Sequence, residues 1–263
     1  FIIIIYEIII NKTIDININI KYNDNNYNYN LIHLLIPNKQ YQLIQTTLFK
    51  NDAYLLNMFT TYYLYQGIEH FYIYYNDDIN NLNLNNIINL DYIIFIEWNY
   101  NYKKQAQITS MNHSLYKYAK INSNYILYND LDEYTYIPNN ILSNIIHSNA
   151  DTYVFLNVWA DIIDIPNDIE SYYNNLYNIT KIPNKILKHN DIFKYKERSK
   201  CLHKSDNIKT VTVHYAYEYN INDPIIIIND NNIILHFFRW SSKKSRTRDK
   251  IMSNKYSIFD IKY

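Results

Sequence analysis

The chain has 263 residues, of which 48% are hydrophobic and 19% charged, enough for one large domain or two small ones around a sizeable core. Lys and Arg together number 25, as do Asp and Glu. The formal net charge is therefore zero, and no global field draws the chain to nucleic acid or to an anionic membrane surface.

The one glycine, Gly67, excludes a Gly-rich dinucleotide loop and a phosphate loop, so a bound nucleotide would be held by side chains, a metal or ordinary backbone amides. The one cysteine, Cys201, excludes an intrachain disulfide and fits a reducing compartment. FIIIIYEIII at the start is too short, and too interrupted by Glu7, to span a bilayer, and it lacks a basic n-region. The expectation is no membrane span within this chain and a cytoplasmic location. A secretory lumen is the alternative if an anchor preceded Phe1.

In chain order, residues 1–40 carry the period-two pattern DININIKY and the polar stretch 23–30, read as a loop, and together they suggest an N-terminal hairpin extension. Residues 41–263 read as one domain. YQLIQTTLF is a strand, and Asn51 or Asp52 caps the helix AYLLNMFTTYYLYQ, which Gly67 stops. HFYIYY is a second strand, LNNIINL a short helix and DYIIFIEW a third strand. KKQAQITSMNHSLYKYAKI is a long helix with Ile108, Met111, Leu115 and Ala119 on one face. NYILYN is a fourth strand, NNILSNIIHS a helix and DTYVFLNVW a strand. Residues 160–200 read as a loop-rich insertion, followed by the strands KTVTVHYAYEY and PIIIINDNNIILHFF and a basic tail from Arg239. This alternation predicts an α/β fold with a mostly parallel sheet flanked by helices, and ligands then bind beyond the carboxyl ends of the strands.

YILYNDLDEY places Asp130, Asp132 and Glu133 at such an end. If the strand continues, Asp130 and Asp132 point the same way. Two adjacent carboxylates repel, and a divalent cation such as Mn²⁺ or Mg²⁺ resolves that while holding substrate phosphates. A phosphatase of the haloacid-dehalogenase type also uses Asp-x-Asp, but on the first strand of its domain. Here the motif ends about the fourth and continues Glu-Tyr.

LFKNDAYLLNMFTTYYLYQGIEHFYIYYND, QITSMNHSLYKYAK, YILYNDLDEYTYIP, RSKCLHKSDNIKTVTVHY and LHFFRWS, in this order, resemble glycosyltransferase family 92 and related GT-A-fold glycosyltransferases over residues 41–250. The resemblance implies a GT-A-like domain that transfers a hexose with inversion from a nucleotide-sugar, UDP-linked by expectation, to a glycan or glycoprotein acceptor, with Mn²⁺. On it, Asp130 and Asp132 match the metal-binding Asp-x-Asp. Lys50, Asn51 and Asp52 match an element beside the base, Asn76 falls in the nucleoside element with Asp77 nearby, and Gln107 matches a helix position. The chain departs from the family at Tyr75, Asp52 and Trp240, where Arg239 is one place off, and the Gly-rich acceptor loop after the family Trp is absent at Trp159.

His214 and His236 are candidates for a third metal ligand. Asp161 is the candidate base, with Asp164 and Glu133 competing. Arg239 and the lysines and arginines of the tail are candidates to hold a diphosphate. Trp98, Trp159 and Trp240 could stack on sugar rings. The second reading is a non-catalytic carbohydrate-binding or scaffolding module on the same fold.

Overall fold

The computed structural model describes residues 15–22, 25–32, 39–82, 84–101, 105–146, 149–162, 184–237 and 255–261. Its contacts group into two units, Phe1–Gln40 and Tyr41–Tyr263. In the first, β1 (Asp15–Tyr22) pairs antiparallel with β2 (Asn25–Ile32). Strand β2 thus begins inside the stretch expected to be a loop, because Asn25 pairs with Tyr22 and continues the ladder.

The second unit is α/β. Its strands are β3 (Tyr41–Phe49), β4 (His70–Tyr75), β5 (Ile93–Glu97), β6 (Ser123–Tyr128), β7 (Glu133–Tyr136), β8 (Thr152–Ile162), β9 (Lys185–His189), β10 (Lys200–Lys204), β13 (Ile226–Phe237) and β14 (Tyr256–Asp260). Among the described residues they form one ten-stranded sheet in the order β14-β9-β8-β10-β6-β3-β4-β5, with β13 beside β8 and β7 beside β13. Strands β5, β4, β3 and β6 are mutually parallel, as strand–helix alternation requires. Antiparallel β10, β8 and β9 extend this half. A separate hairpin joins β11 (Ile208–Val211) to β12 (Ala216–Tyr219).

Alternation along each central strand feeds two cores. Leu43 and Phe49 of β3, Phe71 and Ile73 of β4, and Tyr125 and Leu127 of β6 pack on one face with Leu56, Phe59 and Tyr63 of helix α1 (Leu56–Tyr65). Ile44 and Leu48, Tyr72 and Tyr74, and Ile126 and Tyr128 pack on the other with Met111 of helix α2 (Ala106–Ser114) and with Leu115 and Ala119 of the π turn that continues it. After Lys120–Asn122 (α3) that helix hands over to β6. Helices therefore cover both faces, and each strand is apolar on both sides. Ile108, expected on the buried face of α2, is half-exposed, and Ala106 and Ser110 are buried there.

Helix α1 ends as its sequence implies. Gly67 has φ +91°, its amide bonds to the carbonyl of Leu64 at 3.0 Å, and the amide of Ile68 bonds to Tyr63 at 2.9 Å. This is the Schellman arrangement, closed by the buried pair Ile68 and Tyr63. The start differs from expectation: Asp52 occupies the cap of the turn Ala53–Leu55 without a side-chain cap bond. LNNIINL is not a helix. Asn57 takes its backbone instead, donating to the carbonyl of Asn86 at 2.8 Å and accepting from the amide of Ile88 at 2.9 Å, so the polar groups a helix would satisfy internally are satisfied by α1. The helix after β7, α4 (Leu142–Ile145), is one turn long. The region 160–200 is more regular than expected, holding the end of β8, then β9 and the start of β10. No described helix is long and apolar enough to cross a membrane.

Candidate functional site

The carboxyl ends of β3, β4 and β6 share one edge of the sheet. At the first two, Lys50 and Asp77 form an exposed ion pair at 3.7 Å, and Asn51 sits at φ +63°, which Asn tolerates. Asp52 is buried and receives the hydroxyl of Tyr54 at 3.2 Å. Asn76 is buried, and its amide donates to the carbonyls of Trp98 and Tyr100, both at 2.7 Å. It therefore latches β4 to the chain after β5. Trp98 packs in the core with Tyr74.

Beyond β6 the chain turns. The amide of Glu133 bonds to the carbonyl of Asp130 at 3.1 Å, so Asp130 and Asp132 lie in a β-turn and not on a continuing strand. The two side chains therefore share no strand face. Leu131 is buried in the core and the two aspartates meet different partners. Asp130 accepts from Gln107 Nε2 at 2.6 Å and from Lys200 Nζ at 3.2 Å, and it is partly open. Asp132 is buried, with Oδ2 3.5 Å from His236 Nε2. Glu133 is buried, 3.0 Å from Lys200 Nζ and 3.4 Å from His236 Nδ1, and its Oε2 accepts the Asp130 amide at 2.9 Å. The register explains the gathering: His236 pairs with Glu133 across β13–β7 and with Trp159 across β13–β8.

These charges hold one another. Burial works to lower the Lys200 ammonium, but Asp130 and Glu133 outweigh it and keep the group protonated above the ordinary lysine range. Burial likewise pulls His236 down, and Asp132 with its hydrogen bond prevails and raises it. Burial pushes Glu133 up against the pull of Lys200. Lys200, which sequence reasoning passed over inside a basic segment, is the central cation here. Its signal was its position at the head of an antiparallel strand next to β6, which only the sheet order reveals.

A cavity of about 320 Å³ opens over this cluster, lined by Asp130, Glu133 and His236 below and by Gln107, Val213, His214, Glu197 and Arg198 around. His214 Nδ1 donates to the carbonyl of Ser199 at 3.2 Å, which leaves Nε2 as the acceptor. Burial and Lys200 lower its pKa, so the ring is neutral near pH 7. Asp161 is buried on β8 opposite Leu187 and does not line the cavity, so the expected base stands away from it. Asp164, Arg239, Trp240 and the basic tail lie outside the described residues.

A divalent ion fits part of this set. Among the described residues no three His, Cys, Asp or Glu side chains gather as an ion-holding group, so Asp130, Asp132, His214 and His236 are not one ligand shell. Asp130 already spends its oxygens on Gln107 and Lys200. Asp132 Oδ2 and His236 Nε2, however, face each other at 3.5 Å, close to the ~3 Å edge of an octahedral site with ~2.1 Å bonds. Glu133 stands at the other ring nitrogen, as the carboxylate that orients a ligating histidine commonly does.

No family model matches the chain, and no curated protein matches it. Among solved structures it is similar to HddC from Yersinia pseudotuberculosis, at 12% identity and a TM-score of 0.40, over 73% of this chain and 92% of that one. That likeness is too slight to carry a functional argument.

Proposed function

We propose that the chain is a glycosyltransferase that binds a nucleotide-diphospho-sugar and passes the sugar to a hydroxyl of a glycan or glycoprotein with inversion. The observation that carries this reading is the turn Asp130–Glu133. It brings Asp130, Glu133 and His236 together in the lining of one cavity at the carboxyl edge of parallel strands, with the buried Asp132 3.5 Å from His236. Asp132 and His236 would hold Mn²⁺ or Mg²⁺, with Glu133 orienting the imidazole. The ion would neutralise the diphosphate as it leaves. Lys50 and Asp77, an ion pair at the ends of β3 and β4, would contact the nucleoside. His214 Nε2 accepts a hydrogen bond from a ligand hydroxyl. Glu197, a cavity carboxylate with no cationic partner among the described residues, takes the acceptor proton.

Titration of UDP and UDP-sugars by calorimetry, with Mn²⁺ and with chelator, tests this. Metal-supported binding is expected, weakened at least about tenfold in Asp132→Asn. A wild-type chain that binds no nucleotide-sugar with Mn²⁺ present, or an Asp132→Asn chain that binds and turns over unchanged, ends the reading. The absence of a Gly-rich acceptor loop after Trp159 favours the second reading, a carbohydrate-binding module without catalysis. Glycan binding without any nucleotide affinity would establish that one.

A further inference from the structure

Nearly every cation around the cavity is matched to carboxylates. Lys200 is held by Asp130 and Glu133, and His236 by Asp132 and Glu133. Arg198 is the exception: it lines the cavity yet makes no ion pair among the described residues. Its guanidinium carbon lies 5.2 Å from the ring centre of Trp159 and 5.3 Å from that of Phe193. Cation–π contact with two rings holds the guanidinium in place without using up its N–H donors, which stay available to a ligand. Trp159 is itself braced, 4.3 Å from the His236 ring, so the arginine is anchored to the same structure as the carboxylate turn.

Its place along the sheet decides what it meets. Arg198 stands just before β10 and stacks on β8, whereas Lys50 and Asp77 close the ends of β3 and β4. From β3 through β6 and β10 to β8 is three strand spacings, about 14 Å. On the proposed function, on which this inference rests, the nucleoside lies over β3 and β4 and the diphosphate over the turn after β6. Arg198 then faces the sugar and the acceptor. No carboxylate of the described residues pairs with it: Asp130 and Glu133 are bound to Lys200, and Glu197 accepts the amide of Lys194 at 3.1 Å.

We propose that Arg198 recognises a carboxylate, sulfate or phosphate carried by the transferred sugar or by the acceptor, so that the chain acts on an acidic glycan. A planar fork pairs with two oxygens of such a group, which lysine does not reproduce.

The test compares the intact chain with Arg198→Lys and Arg198→Gln on an array of neutral, uronate-bearing, sulfated and phosphorylated glycans. UDP-glucose, UDP-glucuronate and UDP alone are titrated alongside with Mn²⁺, and melting temperatures establish that the variants fold. The wild-type chain is expected to favour acidic over neutral ligands by about tenfold or more, and Arg198→Gln to lose that preference while UDP affinity stays within about twofold. A preference for UDP-glucuronate places the anion on the donor sugar, and a preference on the array places it on the acceptor. The inference is overturned by a wild-type chain indifferent to charge, by a preference that survives in Arg198→Gln, or by UDP affinity falling with the sugar preference, which would assign the guanidinium to the diphosphate. If the acidic preference holds while no nucleotide binds, the donor reading fails and the role of Arg198 stands.

Discussion

Tyr63 ties helix α1 to the site through one oxygen. Its hydroxyl donates to the carbonyl of Glu133 at 2.9 Å, accepts the amide of Thr135 at 2.9 Å, and also meets the side-chain amide of Asn129. The ring is fully buried, and burial holds the phenol well above the usual tyrosine range, so it stays protonated as a donor. Removing the oxygen leaves buried backbone groups unpaired, which costs more than the net value of a hydrogen bond. Tyr63→Phe is therefore expected to lower unfolding free energy by about 1–3 kcal/mol in urea titrations, with an unchanged m-value. A loss below about 0.5 kcal/mol would mean that the oxygen is not the tie described. Lys200 illustrates the same principle with charge: a buried ammonium is tolerable because two carboxylates lie within 3.2 Å of it.

At the scale of elements, α1 and α4 meet closely at Gly67. A Cβ on Gly67 would meet Ser143 Cβ at 2.5 Å and Oγ at 2.6 Å. The amide of Ser143 bonds to Gln66 O at 3.1 Å, and that of Leu142 to the Gln66 side chain at 3.1 Å, so α4 cannot simply move aside. Gly67→Ala carries both a left-handed φ and this clash. It is expected to lose about 2 kcal/mol or more, read as a fall in melting temperature. Adding Ser143→Gly removes the clash and should recover part of the loss, but not the share due to φ +91°. Full recovery would show that the backbone angle costs nothing. The Schellman end was legible because a single glycine stands just after a helical period. The false helix at LNNIINL was not, because the competitor for its backbone, Asn57, lies about thirty residues earlier in the chain.

For the whole molecule, one buried imidazole sets an acid limit. His203 is buried beside the Thr152 hydroxyl at 2.9 Å, and desolvation lowers its pKa from 6.5 to about 3. The unfolded chain takes up that proton near 6.5 and the folded chain does not until about 3. Between these values the unfolded state binds more protons, so this contribution to stability is complete above 6.5 and is lost as pH falls. The expected slope is up to about 1.4 kcal/mol per pH unit, or roughly 3 kcal/mol by pH 4.5. Urea titrations from pH 7 to 4 on the wild-type chain and on His203→Asn, which cannot titrate, isolate it. Parallel curves would refute the assignment.

By itself the sequence determined the α/β class, the central strands β3, β4 and β6, helices α1 and α2, the glycine stop, and the acids at the end of β6. Each of these is written in a local period or a local backbone need, within reach of one turn or one strand. Tertiary structure alone decided how the acids are used. Whether Asp130 and Asp132 share a face depends on the turn that Glu133 closes. Their cations, Lys200 and His236, come from strands 70 and more than 100 residues later, and Arg198 gains its brace from Trp159 on another strand. Charge pairing acts over a few ångströms in space and leaves no period in the chain, so it becomes visible only when sheet order brings the partners together.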